Sequence, residues 1–105
     1  MANFVIDKAT SGVNSLISGV AGKKIFVHHY LFIAAGSVTV KFGYADDATG
    51  TNAVYVTGAM TALASTGAEC VFHKDGHFVC PAGKYFIMTL SGNVQVSGHG
   101  DFSQR

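Results

Sequence analysis

The chain has 105 residues, of which 49% are hydrophobic and only 12% charged, and its net charge at pH 7 is +1. This composition favours a folded chain over a disordered one, and the length suits one domain spanning residues 1–105. The basic residues are scattered, so no Lys/Arg run is available to bind the phosphates of a nucleic acid. The longest apolar stretch, residues 25–35, contains two histidines and is too short for a transmembrane helix, so no membrane partner is expected.

The N-terminal segment has neither a basic start nor a long apolar stretch, so we expect no signal peptide and synthesis in a cytoplasm. Stable disulfides are rare in that compartment. The prediction for Cys70 and Cys80 is therefore two free thiols, and a disulfide between them is the alternative.

Short β-strands dominate the predicted secondary structure, because runs of β-branched and aromatic residues alternate with glycine-rich or polar turns. The predicted strands lie at residues 4–6, 15–17, 25–33, 37–44, 54–56, 70–72, 85–90 and 93–97. Residues 58–67 are predicted as a surface loop, and Asp75-Gly76 is a two-residue hairpin signal between residues 70 and 80. About eight short strands at this spacing predict an all-β fold, a single-domain antiparallel β-sandwich that is jelly-roll-like.

The predicted strand at residues 25–33 has two apolar faces. Its odd positions are aliphatic and belong to the predicted core, which comprises Ile25, Val27, Leu31, Val38, Val40, Phe42, Ile87, Val94 and Val96. Its even positions are aromatic or imidazole, and residues 85–90 are likewise apolar on both sides. Because one sandwich has one interior, the second faces are predicted to contact another chain, with the interface candidates Phe26, His28, Tyr30, Phe32, Phe86 and Met88.

Four residues around the predicted hairpin have side chains that bind zinc: Cys70, His73, His77 and Cys80. Their spacing differs from that of common zinc motifs, and strand alternation directs the four side chains to both faces of a sheet. We therefore predict loop or packing roles for them, with no metal and no cofactor.

The adjacent pair His28-His29 invites comparison with cupins, small jelly rolls that hold a metal through His-x-His and a following Glu. Adjacent residues of a regular strand face opposite sides, and the only glutamate of the chain is Glu69. One histidine is therefore predicted in the core and the other on the second face. The sequence also has no nucleophile elbow, phosphate-binding loop or carboxylate pair, so it predicts a protein that is not an enzyme and has no catalytic residues.

Two stretches resemble a group of small tailed-bacteriophage virion proteins. The first includes Gly-Lys-Lys-Ile-Phe-Val at residues 22–27 and Val-Thr-Val-Lys-Phe at residues 38–42. The second begins near Ala-Gly at residues 82–83 and ends at residue 99. It includes Leu-Ser at residues 90–91 and Val-Gln-Val-Ser-Gly at residues 94–98. The chain departs from the family pattern at Ser97, where glycine is usual, and in the Cys/His segment between residues 70 and 80.

The resemblance implies a capsid decoration or cement protein. Such a protein stabilises the phage head by bridging subunits of the major capsid protein, and it is commonly a homotrimer at a three-fold point. The implied location is the capsid surface of the virion, after synthesis in the host bacterial cytoplasm. Two alternatives stay open: a tail-associated or head-fibre glycan-binding module whose tyrosines stack on sugars, and a small cupin-like metal-dependent enzyme.

Overall fold

Ten β-strands and no helix make up the computed structural model, which describes residues 1–105. The strands are β1 (Ala2–Lys8), β2 (Gly12–Ile17), β3 (Ile25–Ala34), β4 (Val38–Ala45), β5 (Val54–Tyr55), β6 (Met60–Ala62), β7 (Thr66–Cys70), β8 (Phe78–Cys80), β9 (Tyr85–Leu90) and β10 (Val96–Gln104). All of them pair in antiparallel fashion within two sheets, which confirms the predicted all-β sandwich. The chain has no helix that is long and apolar enough to cross a membrane.

The order of the strands is that of a jelly roll. Sheet 1 has the order β1-β10-β3-β7, and sheet 2 has the order β2-β9-β4-β5. Strand β8 also pairs with β3, next to β7, and β6 also pairs with β4, next to β5. Each of these two pairs therefore forms one interrupted edge strand, so the ten strands occupy the eight positions of two four-stranded sheets.

The core lies between the two sheets and follows from the alternation of their strands. In β4 the side chains of Val38, Val40 and Phe42 are buried, as their period of two predicts. Phe42 stacks on Phe86 of the neighbouring strand β9, with ring centroids 5.6 Å apart. The other predicted core residues found in this cluster are Ile25, Val27 and Val96.

Three predicted core residues have different positions. Val94 is partly buried and packs against the core, and Ile87 is fully buried but lies outside the core cluster. Leu31 is wrong as a core residue, since it is partly exposed on the outer side of sheet 1. Ile33, predicted on the same aliphatic face, also lies on the outer side of sheet 1 and is 52% exposed.

A β-bulge at His28 is the physical reason for this error. On strand β10, Asp101 is paired with His29 and the next residue, Phe102, with Val27, so His28 has no partner of its own. An extra residue in one strand shifts the alternation of the residues that follow it. The inward residues are therefore odd before the bulge and even after it, where Tyr30, Phe32 and Ala34 are buried in the core.

The predicted hairpin around Asp75-Gly76 is also wrong. Gly76 has the positive φ that this turn signal predicts, at 86°, and its amide donates to the carbonyl of His73. The two flanking segments, however, do not pair with each other. Strand β7 ends at Cys70 and β8 begins at Phe78, and both pair with β3, one after the other. Residues 71–77 therefore form an excursion from one edge strand, named here the bulge loop.

Candidate functional site

All five histidines of the chain lie on the outer side of sheet 1 or in the bulge loop at its edge. The bulge directs His28 and His29 to the same side, which corrects the prediction that they face opposite sides. The ring of His29 lies 5.7 Å from that of His99, and the rings of His73 and His77 are 5.5 Å apart. His28 connects the two pairs, because it precedes His29 and contacts the carbonyl of His73.

His28 fastens the bulge loop to the sheet. Its Nδ1 lies 2.8 Å from the carbonyl oxygen of His73, and its Nε2 lies 2.8 Å from the Ser103 hydroxyl on β10. Since a carbonyl oxygen only accepts, Nδ1–H donates to His73 and Nε2 accepts from Ser103 in the neutral ring. Phe72 covers the imidazole, with ring centroids 5.4 Å apart and planes at 27°. His28 is thereby 98% buried although it lies outside the core.

The first two residues of the bulge loop are apolar and exposed. Val71 is 76% exposed and Phe72 is 51% exposed. Backbone hydrogen bonds hold both ends of the loop to strand β3: the amide of His73 donates to the carbonyl of His28, and the amide of His77 to that of Val27. The loop therefore presents two apolar side chains on a hydrogen-bonded backbone, which lowers the entropic cost of a contact made there.

A second apolar surface lies near the other end of β3. A groove of about 420 Å³ is lined by Leu31 and Ile33 together with Ser65 and Ser97. The adjoining turn presents Leu63, whose side chain is 59% exposed. The Thr66 hydroxyl fixes this turn, because it accepts from the amide of Leu63 and donates to the carbonyl of the same residue.

Between the two apolar surfaces lies a polar cluster on three adjacent strands. His29 on β3 is directly opposite Asp101 on β10, and His99 is two residues before Asp101 on the same face. The Nε2 of His29 lies 3.4 Å from the Glu69 carboxylate on β7, and its Nδ1 lies 4.0 Å from that of Asp101. The Nδ1 atom is buried and has no hydrogen-bond partner.

Most of the predicted interface residues lie inside the folded chain, which corrects the predicted outer aromatic face. Tyr30, Phe32, Phe86 and Met88 belong to the core cluster, and His28 is covered by the bulge loop. These five side chains are therefore not available for contact with another chain. Among the six candidates only Phe26 is partly exposed, and the Arg105 guanidinium lies 4.1 Å from its ring centroid.

The four predicted zinc-type residues are separated in the fold. Cys70 and Cys80 are free, and both pack on the core side of sheet 1. Cys70 is opposite Tyr30 and Cys80 is opposite Ile25. These two positions of β3 are five residues apart, which corresponds to about 16 Å in an extended strand. That distance excludes the alternative disulfide, whose Cα atoms must lie within about 7 Å. His73 and His77 lie in the bulge loop, and no three His, Cys, Asp or Glu side chains of the chain converge in ligand geometry.

The tyrosines do not form an open platform for sugar stacking. Tyr30 is in the core, while Tyr44, Tyr55 and Tyr85 are partly buried. The Tyr55 hydroxyl is hydrogen-bonded to Thr89 at 2.9 Å, and the Lys41 ammonium lies 3.9 Å from the centroid of its ring. Their arrangement does not favour the glycan-binding alternative.

Comparison with known proteins gives no relative for this chain: no protein-family model, curated protein or solved structure matches it. The candidate surfaces therefore rest on the chain's own residues. Sequence reasoning missed both the bulge loop and the cluster around His29, because each depends on the extra residue in β3. In the sequence, the adjacent histidines are the one signal of this extra residue, because two polar residues interrupt an otherwise apolar strand.

Proposed function

We propose that the protein is a structural component of a bacteriophage virion, a decoration protein that binds the outside of the capsid and bridges major capsid protein subunits. The observation that carries this proposal is the pair of exposed apolar surfaces at sheet 1, one at the bulge loop and one at the groove beside Leu63. Exposed apolar side chains that lie together at the surface are typical of protein contact sites. The low charge of the chain, 12% of residues, agrees with such a role.

Two further arguments support a virion protein over other binding proteins. Jelly rolls recur in viral capsid proteins, which is an argument from fold alone. The strand motifs at residues 22–27 and 38–42 resemble those of small tailed-phage virion proteins, which is an argument from sequence. A decoration protein needs neither a cofactor nor a catalytic group, so the surface itself carries the function.

The bulge loop is the proposed contact with the capsid. Its exposed apolar residues, Val71 and Phe72, would pack against the capsid subunits. Full burial of an exposed side chain of this size contributes about 1.5–3 kcal/mol, and the half-buried Phe72 would contribute about half of that. His28 holds the loop in place beforehand, so little conformational entropy remains to be lost on binding. Repetition of one modest contact over many capsid sites then reinforces the whole shell.

Self-association, most simply as a cyclic trimer, is the second part of the proposal. The contact cannot use Tyr30 or Phe32, which are buried in the core. The groove lined by Ile33 and the neighbouring knob Leu63 offer a complementary pair of surfaces on one chain. A heterologous contact between knob and groove closes into a ring when the rotation between subunits is 120°. Light scattering of wild type, Ile33→Lys and Leu63→Lys tests this: a monomeric wild type contradicts it.

The location of the protein in purified virions tests the function itself. Quantitative mass spectrometry of separated heads and tails is expected to find it on heads in a fixed ratio to the major capsid protein. Its presence only on tails would support the glycan-binding alternative, and its absence from virions would refute both.

A binding assay with undecorated capsids then tests the contact surface. Phe72→Lys is expected to abolish binding, because a charge replaces an apolar side chain of the contact surface. Val54→Lys is the matched control, since Val54 is similarly exposed, at 49%, but lies on the other sheet. Equal loss of binding in both variants would contradict the role of the bulge loop.

A further inference from the structure

Two cationic residues lie directly opposite each other where β3 begins and β10 has just ended. The amide of Lys24 donates to the carbonyl of Arg105, and the amide of Arg105 donates to that of Lys24, both at 3.0 Å. Such reciprocal bonds define a directly opposed antiparallel pair, whose two side chains lie on the same face of the sheet. Both residues are exposed. Like charges in this arrangement destabilise a sheet, so the pair is unfavourable in the isolated chain.

No carboxylate side chain of the chain balances this pair. The only cationic partners in ion pairs are His29 and Lys84. On the strands of sheet 1, the carboxylates of the outer side all lie at or beyond the bulge, and they are Asp7, Glu69 and Asp101. The outer side of sheet 1 is therefore divided by charge, with cations before the bulge and carboxylates after it.

The guanidinium of Arg105 is already held in one place. It lies 4.1 Å from the ring centroid of Phe26, which is two residues from Lys24 on the same face. Stacking on an aromatic ring fixes the planar group and leaves the N–H donors at its rim free for an acceptor. A groove of about 550 Å³ adjoins Arg105 and is also lined by Ser103 and Gln104. An anion that enters there meets two cations, one of which is oriented before binding.

The cation pair borders the surface that the bulge loop presents. A Cβ on Gly76 of the loop would lie 3.4 Å from the Cβ of Phe26, so the loop packs against this residue. Val79 is directly opposite Phe26 on β8 and is 43% exposed. Phe72 covers His28, two residues beyond Phe26 on β3. Apolar side chains thus connect the bulge loop to the two cations without a break.

We propose that Lys24 and Arg105 bind a carboxylate of the major capsid protein at the border of the bulge-loop contact. The inference rests on the proposed function and adds to it the charge of the partner surface. A guanidinium binds a carboxylate through two parallel hydrogen bonds, and the ammonium of Lys24 supplies a second positive charge. The partner's carboxylate also removes the repulsion within the pair.

The division of charge would also orient the protein on the capsid. A carboxylate of the partner attracts the end of sheet 1 that carries Lys24 and Arg105, and it repels the end that carries Glu69 and Asp101. Charges arranged in this way select one orientation and speed the encounter.

The variant Lys24→Glu separates the two properties of the pair. It replaces a repulsion of Arg105 by an attraction, and it removes one cation from the site. At low salt we expect a higher urea midpoint than that of wild type, together with capsid binding that is about 10-fold weaker. Arg105→Glu should weaken capsid binding similarly. Lys41→Glu makes the same change of charge on sheet 2 and is the matched control, which should bind capsids as wild type does.

Salt dependence is the second measurement. Binding of wild type to undecorated capsids should weaken as NaCl rises, and binding of Lys24→Glu should weaken less, because the variant has lost an attraction that salt screens.

Two results would overturn the assignment and leave the capsid contact intact. One is a pair of variants, Lys24→Glu and Arg105→Glu, that bind capsids as wild type does while Phe72→Lys does not bind. The other is a Lys24→Glu protein that is no more stable than wild type at low salt, since the pair would then be under no repulsion. A wild-type protein that does not bind capsids would refute the proposed function, and this assignment with it.

Discussion

The imidazole of His28 stacks on the ring of Phe72, and this contact joins a buried polar residue of the sheet to an exposed apolar residue of the bulge loop. His28 also hydrogen-bonds at both ring nitrogens, to the His73 carbonyl and to the Ser103 hydroxyl. A polar group thus holds an exposed apolar surface in place, and the bulge in β3 makes this possible by turning His28 outwards.

His28→Ala should therefore destabilise the protein. It removes two hydrogen bonds, each contributing about 0.5–1.5 kcal/mol, and leaves the Ser103 hydroxyl without its partner, whereas the His73 carbonyl keeps the amide of Gly76. Urea unfolding measures the loss. His99→Ala, at an exposed position, is the control and should change the free energy of unfolding by less than about 0.5 kcal/mol. Equal stabilities of the two variants would contradict this account of the loop.

Val40→Asp should abolish folding. Val40 has no exposed surface and lies in the core between the two sheets, so the substitution buries an unpaired charge. Circular dichroism and soluble yield measure the outcome. Thr61→Asp is a suitable control, because Thr61 lies on the neighbouring strand β6 but is exposed. A folded Val40→Asp protein of normal stability would show that the strand register is wrong.

Gly100→Ala should destabilise the chain by overpacking. A Cβ at this position would overlap both the ring of Phe4 and the carbonyl oxygen of His29. Such overpacking typically costs about 1–3 kcal/mol, which thermal or urea unfolding can measure. Gly92→Ala has open space around its Cβ and should be close to neutral. The reverse ranking of these two variants would refute the packing of β1 on β10.

The loop at residues 46–52 should loosen in acid. Hydrogen bonds from the side chains of Thr49 and Thr51, and then from their amides, hold the pKa of Asp47 well below its usual value of 3.8. A carboxyl group whose pKa is lowered on folding stabilises the fold above its unfolded pKa, and this contribution is lost as the pH falls below about 4. Amide exchange at Thr49 and Thr51 should therefore accelerate in acid, after correction for intrinsic rates. Asp47→Asn should show the acceleration at neutral pH, whereas Asp75→Asn should not.

The two thiols should react slowly and unequally. Burial raises the pKa of the Cys80 thiol to about 12 and also raises that of Cys70, and only the thiolate is an effective nucleophile. Iodoacetamide at pH 8 should modify native Cys70 slowly and Cys80 more slowly still, while the unfolded chain should react at both. In the Cys70→Ser variant only Cys80 can react, so its modification rate is measured alone. Mass spectrometry that finds a Cys70–Cys80 disulfide in the native protein would contradict the register of β7 and β8.

Local patterns were sufficient to predict the sandwich. The alternation in Val38, Val40 and Phe42 identifies one buried face of β4, and the structure confirms it. The turn signals and short apolar runs indicate about eight strands, which agrees with the eight positions of the two sheets. These features depend on near neighbours in the chain, since a side chain's face is set by its place in a regular strand.

The last strand shows where local patterns fail. Strand β10 continues through Gly98 and Gly100 to Gln104, beyond the predicted end at residue 97. Its polar, glycine-rich sequence has no strand periodicity. Residue 100 is a glycine because the ring of Phe4, from the other end of the chain, occupies the space that a Cβ would need. Pairing with β1 and β3 makes this segment a strand, and only the tertiary structure contains that pairing.

The candidate sites depend on the tertiary structure even more strongly. The sequence alone determined that the chain forms an apolar, charge-poor β-sandwich with histidines in an apolar strand. The extra residue at His28 then decided which of those side chains are buried and which reach the surface, because one unpaired residue reverses the alternation of all that follow. It placed Tyr30 and Phe32 in the core and His29 beside Asp101 and His99. A bulge is fixed by pairing between strands about seventy residues apart in sequence, and no local pattern records that pairing.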